Sequence, residues 1–275
     1  MKGADVTTRE SVSPPPAAST PRPALWKALL VGLAAGLLSG LFGVGGGILI
    51  VPCLVFVLHM QQRISHGTSL LAIVPIAASG LVGYATAGEV QWLAVAILAA
   101  GAAGAGAGIG TALLHRLPQR TLALCFGVLL LATAVRLLWE TGDGHVRPEI
   151  DLTLGVQLLV LGVLSGVLAG LTGVGGGTVM VPAMVVLWGF PTVLAKGISL
   201  GAMIPTAIVG SRKNHRNGNL DARTACIIGV AGVASSYAGS QISLGLASST
   251  SNRLFAALLG AVALKTFWDN RRGQA

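Results

Sequence analysis

Two stretches of this chain set glycine in an apolar frame where it could do chemistry: GLFGVGGGILIVP, Gly40 to Pro52, and GLTGVGGGTVMVP, Gly170 to Pro182. Nine of the thirteen positions are identical when Gly40 is laid over Gly170. Four glycines in five residues let the backbone leave helical geometry and approach a ligand closely. A helix restarting at Ile48 then presents amides without intrahelical partners, and such a helix start attracts anions. Gly43, Gly45, Gly46 and Gly47, with Gly173, Gly175, Gly176 and Gly177, are therefore candidate substrate-binding positions. Isolated glycines more often serve close packing, as expected of Gly36/Gly40, Gly104/Gly108 and Gly106/Gly110. A five-residue block followed by proline five residues on, and present twice, points instead to a site. A nucleotide-binding loop is excluded, because GVGGGI lacks the last glycine of G-x-G-x-x-G and the Lys-Ser/Thr of a P-loop.

Hydroxyls that could complete an anion site come from the segments HGTSLLAIVPIAASG (66–80) and KGISLGAMIPTAIVG (196–210). Thr68, Ser69 and Ser199 are expected to open helices, where each either caps the helix or points into a cavity. His66 and Lys196 occupy equivalent positions at the expected membrane boundary, where lysine usually snorkels but could serve an anion path. The loop SRKNHRNGNLDAR (211–223) is the most basic internal stretch and reads first as a topogenic loop on anionic headgroups. Its first-half counterpart, GYATAGEVQW, holds no Lys or Arg, so Arg212 and Lys213 are also candidates for drawing anions to the inner mouth.

What is missing narrows the chemistry further. The acidic residues Asp5, Glu10, Glu89, Glu140, Asp143, Glu149, Asp151, Asp221 and Asp269 all fall in tails, loops or helix ends. Intramembrane carboxylates are the usual proton relays and cation sites, so a carboxylate-driven antiporter is disfavoured. Five scattered histidines and the single cysteines Cys53, Cys125 and Cys226 offer no catalytic constellation, metal site or disulfide frame. No catalytic residue, cofactor or metal is expected.

The elements that must position these residues are membrane helices. Hydrophobic residues make up 53% of the chain, charged residues 10%, and mean hydropathy is +0.78, well outside the range of a soluble domain. The apolar runs are continuous and rich in Ala, Leu and Gly, unlike the alternating strands of a barrel. Eight apolar segments follow, at 25–42 with 47–59, 66–86, 91–114, 120–139, 153–172 with 177–189, 195–211, 222–246 and 252–268. Residues 1–24, polar and Pro-rich, read as a disordered cytoplasmic tail. Residues 25–140 form a first repeat, 141–151 a connecting loop, 152–268 a second repeat and 269–275 a C-terminal tail. The register that pairs Gly40 with Gly170 continues through Gly67/Gly197, Ser69/Ser199, Pro75/Pro205 and Gly80/Gly210, and after a slip of three through Arg120/Arg253 and Gly127/Gly260. Duplicated segments interrupted by Gly and Pro are the pointer to a secondary transporter with its site between the halves.

The distribution of Lys and Arg puts both termini in the cytoplasm. Eight full crossings leave 13 of the 18 basic residues inside, and re-entrant hairpins at each GVGGG leave 14, with the second half inverted. Length favours re-entry or a strongly broken helix, since the run from Leu25 to His59 falls short of the roughly 40 residues that two full spans need. The fold class expected is an all-α integral membrane protein of two homologous repeats of four helical segments. The first segment of each is broken or re-entrant at GVGGG, and a pseudo-two-fold relates the repeats.

The doubled G-x-G-G-G-x-x-x-V-P, each followed by G-[TI]-S-L, resembles the sulfite exporter TauE/SafE family of membrane permeases over nearly everything after residue 25. The resemblance implies a transporter of a small anion, sulfite-like or organosulfonate, across the bacterial inner membrane. A passive anion channel, or a permease for a non-sulfur organic anion, is the alternative. Expected partners are a small anionic substrate and membrane lipid, with a homo-oligomer allowed. Nucleic acid is not expected, because the net charge of +9 has no basic domain outside the membrane to carry it.

Overall fold

A computed structural model describes residues 25–106, 147–246 and 248–272, together with Val128, Leu131, Ala132, Ala134 and Val135. The expected tail at 1–24, Cys125, the Arg120 and Gly127 correspondences, and Gly108 and Gly110 lie outside the described residues. The described chain folds into helices α1 (Leu25–Phe42), α2 (Gly47–Phe56), α3 (Gln62–Thr86) and α4 (Trp92–Ala99), the last continued by a π-helix over Ala100–Gly106. After residue 147 follow α5 (Leu152–Thr172), α6 (Gly177–Trp188), α7 (Thr192–Arg216), α8 (Ala222–Gly245) and α9 (Ser248–Arg272). In lipid every backbone donor and acceptor must be met within the segment, which is why these apolar stretches are helical. Five of them, α1, α3, α5, α7 and α8, are long and apolar enough to cross a membrane.

Several expected boundaries move. α3 begins at Gln62, after His59 turns the chain at φ 54°, and α7 begins at Thr192, directly after Pro191, where Gly189 at φ 66° turns it. α7 also runs on through Arg216, so Arg212 and Lys213 stand on its last turns rather than in a loop. α9 continues to Arg272, past the boundary at 268.

Helix order in space follows from where small residues let backbones meet. A Cβ on Gly32 would lie 2.5 Å from the carbonyl of Ile228, and Cβ atoms on Gly36 and Gly40 would overlap the carbonyls of Gly232 and Ser236. Contacts thus advance together along both chains, so α1 and α8 run parallel with their backbones in direct apposition. The same arrangement recurs at the equivalent positions of the other pair, where a Cβ on Gly162 of α5 would lie 2.5 Å from the carbonyl of Leu98 and one on Gly166 would overlap that of Ala102. Gly106 packs here too, 2.7 Å from its would-be Cβ to the carbonyl of Val163. Gly104, expected to join a packing stripe, has nothing within 4 Å of a Cβ, because it turns away from α5.

α3 and α7 form the antiparallel centre. Gly67, near the start of α3, abuts Asn219 after the end of α7, and Gly197, near the start of α7, abuts the Glu89 carbonyl after the end of α3. One face of the molecule thus gathers the starts of α3 and α8 with the end of α7, where the Asp221 amide donates to Thr68 Oγ1 at 3.0 Å. The opposite face gathers the end of α3 and the starts of α4, α5 and α7, where Arg147 reaches the Gly88 carbonyl at 2.9 Å and Gln91 the Pro148 carbonyl at 3.2 Å.

The packing stripes make a direct test. Gly32→Ala and Gly36→Ala should each cost about 1–3 kcal/mol through overpacking, read as a lower thermal midpoint of purified protein in detergent. Gly104→Ala should leave the midpoint unchanged.

Candidate functional site

α1 ends at Phe42 because Gly43 enters the left-handed region at φ 68°, followed by Gly45 at φ 73° and Gly46 at φ 70°. Gly173, Gly175 and Gly176 repeat this at φ 69°, 91° and 79°. L-residues with a Cβ rarely adopt that conformation, so these six positions require glycine. The Gly43 amide closes onto the Ser39 carbonyl and the Leu49 and Ile50 amides onto that of Gly46. Gly173, Val179 and Met180 make the matching bonds to Ala169 and Gly176. Among the described residues, the amides of Val44 through Ile48 and of Val174 through Thr178 have no such turn or cap partner. The helix restarts at Gly47, one residue earlier than the expected Ile48.

The two turns meet. A Cβ on Gly47 would lie 2.5 Å from the Val174 carbonyl, and one on Gly177 would lie 3.0 Å from the Gly43 carbonyl and 2.9 Å from Ser199 Oγ. Gly47 and Gly177 are therefore glycine because the opposing turn, or the hydroxyl beside it, occupies the side-chain position. Each turn also lies against the central helix of the other half. Gly43 presses on Lys196, with a would-be Cβ 2.6 Å from its Cα, and Gly173 presses on His66 at the same distance. Gly46 sits 2.6 Å, measured from its would-be Cβ, from the carbonyl of Ala35, so α2 starts alongside the middle of α1.

The predicted hydroxyls divide. Thr68, Ser69 and Ser199 lie in the second turns of α3 and α7 and cap neither helix, since those helices start earlier than expected. Thr68 is occupied by the Asp221 amide and so ties α3 to the 217–221 turn. Ser69 Oγ is fully buried and unpartnered among the described residues, as is Ser39 Oγ, one turn before Gly43. Among the described residues, Ser199 Oγ has only the Met203 sulfur, 3.8 Å away.

Lys196 departs furthest from expectation. It is fully buried instead of snorkelling, with Nζ donating to Ser251 Oγ at 2.8 Å and Ser243 Oγ at 3.1 Å. The ammonium also lies 5.6 Å from the ring centre of Phe255 and 5.9 Å from that of Phe42, and the two rings stack 5.6 Å apart. The two hydroxyls and the two ring faces stand where water would otherwise surround the group. No carboxylate among the described residues pairs with it, whereas Arg147 and Glu89 form a partly exposed ion pair at 3.8 Å. Sequence reasoning missed Phe42, Phe255, Ser243 and Ser251, and no spacing signal links them, since they come from α1, α8 and α9. Arg212 is exposed near the end of α7, and Lys213 is half-buried there. No group of His, Cys, Asp and Glu suited to a metal occurs among the described residues.

Set beside known proteins, residues 6–137 and 158–275 match the family model described as sulfite exporter TauE/SafE. A probable membrane transporter protein of Xylella fastidiosa (strain 9a5c) is 29% identical over 245 residues, covering 87% of this chain and 92% of its own length. The probable membrane transporter protein YunE of Bacillus subtilis is 29% identical over 216 residues, or 70% of this chain and 79% of YunE. No solved structure matches the chain. With apolar membrane-length helices and the doubled glycine turn in place, the chain belongs to the TauE/SafE family and is a multi-pass membrane transporter protein.

Proposed function

We propose that this transporter moves a small anion, a sulfur oxyanion or organosulfonate, across the bacterial inner membrane by alternating access, and binds it where the two glycine turns meet. The observation that carries this reading is the convergence of two helix starts, α2 and α6, whose amides lack backbone partners and whose positive dipole ends favour an anion. Three further features support it. Among the described residues, Ser69 and Ser199 offer a free and a weakly engaged hydroxyl, Lys196 is a buried basic side chain with no carboxylate beside it, and Glu89, Glu149, Asp151 and Asp221 stand at turns or helix ends. In this site Gly43, Gly45, Gly46, Gly47, Gly173, Gly175, Gly176 and Gly177 shape the backbone, the two serines donate to the anion, and Lys196 supplies charge from one side.

The halves are read as inverted repeats about a pseudo-two-fold axis, each turn being the tip of a re-entrant hairpin. Reciprocal contacts support this: Gly43 with Lys196 against Gly173 with His66, and Gly32 with Ile228 against Gly162 with Leu98. In this arrangement α1 enters from the face that holds the 217–221 turn and α2 returns the chain to it, where α3 starts. The positive-inside rule makes that face cytoplasmic, along with both termini.

Three outcomes are expected. Ser69→Ala and Ser199→Ala remove a hydroxyl with little change in volume, and a hydrogen bond to a charged ligand is worth roughly 1.5–3 kcal/mol. Each should weaken half-saturation for sulfite or a short alkanesulfonate by about ten- to a hundred-fold in proteoliposomes; wild-type affinity in both variants would remove the turns from the binding site. Lys196→Met should retain folding, because replacing a buried charge with an apolar side chain of similar volume is often neutral, yet lose most anion binding; a variant that binds normally would make the lysine structural. For topology, single cysteines at His59 and Asn217 should label from the same, cytoplasmic side in intact cells. Labelling from opposite sides would replace the hairpin with a full crossing.

A further inference from the structure

We propose that Met203 is the movable plug of the anion site and sets the size of anion it accepts; this rests on the reading of the glycine turns as that site. Met203 is fully buried in α7 and stands where both turns converge. A Cβ on Gly45 or Gly175 would overlap its Cε methyl, and one on Gly177 would lie 2.5 Å from its Sδ. One side chain therefore touches the first turn, the second turn and the first residue of α6. Ser199, one helical turn earlier, contacts the same sulfur at 3.8 Å.

Ile73, the repeat equivalent of Met203, approaches the same two glycines from α3. Its Cγ2 is 3.3 Å from the would-be Cβ of Gly45, and its Cδ1 is 3.2 Å from that of Gly175. The junction is thus filled by two apolar side chains of different mobility. Isoleucine is β-branched and stiff at χ1, whereas methionine is unbranched, has three rotatable bonds and adapts to irregular space. An anion reaching the amides of both turns needs the volume that the thioether fills, and Met203, with three rotatable bonds, vacates it more readily than Ile73 can. The space it leaves, bounded by Ile73, fixes how large a body can follow the anionic head. Met203 is in this sense a specificity-determining residue, distinct from the serines that bind the charge.

The test uses the full chain in proteoliposomes and the straight-chain series from methanesulfonate to pentanesulfonate, with flux and half-saturation measured at matched insertion. Met203→Ala and the milder Met203→Val should shift preference toward the longer anions, changing the ratio of pentane- to methanesulfonate transport by about tenfold, the low end of what one methylene in a fitted apolar pocket discriminates. Met203→Leu, which keeps the volume, should retain the wild-type ranking. Saturable flux with an unchanged ranking in the Val and Ala variants would overturn the inference alone. Absence of any saturable sulfonate or sulfite flux in the wild type would overturn the anion-site reading and the inference with it.

Discussion

A polar backbone group buried among apolar side chains needs a partner, and this protein breaks two helices within its packed interior. Everything else in the fold accommodates that constraint. The left-handed glycines turn the chain within five residues, and the free ends of α2 and α6 are enclosed by each other and by the centres of α3 and α7. Irregular backbone in an apolar interior needs protein or a polar cavity around it, and here the protein surrounding is reciprocal. The first turn rests on α7 and the second on α3, so each break is covered in part by the other half.

Bringing the breaks together requires the outer helices to approach closely. The apposition of α1 with α8, and of α5 with α4 and its π-turn, places carbonyls where a side chain would otherwise stand. Membrane helices gain little from hydrophobic burial against one another, so contact at this range through small residues is a main source of their association. Tyr84 adds a polar tie, its hydroxyl donating to the Gly40 carbonyl at 2.7 Å just before the first turn. The prolines inside α2, α3, α6 and α7 remove further ladder bonds in the same region, concentrating irregular backbone around the turns.

The two halves are not equivalent in chemistry. Lys196 and His66 receive the same glycine contact, but only Lys196 is fully buried, roofed by Phe42 and Phe255. Met203 and Ile73 face the same turns with unequal freedom to move.

Much of this was legible in the residues alone. Apolar length marked the helices, GVGGG marked where they break, and the constant register between the copies, Gly43 over Gly173 and Ser69 over Ser199, is visible along the chain itself. These are local properties: backbone freedom at glycine and the hydrogen-bond demand of a helix start depend on a few neighbouring residues. The roles of individual polar side chains were not legible. Ser69, Ser199 and Thr68 looked alike in sequence, yet Thr68 is taken by the Asp221 amide while Ser69 has no partner among the described residues. Lys196 belonged by position to the membrane boundary, and burial under Phe42 and Phe255, with Ser243 and Ser251 beneath, came from helices far apart in the chain. Which groups surround a buried atom is set by helices crossing at long sequence separation, and no spacing along one strand of sequence encodes that. The sequence by itself determined where the backbone must open, and tertiary packing alone decided what the opening faces.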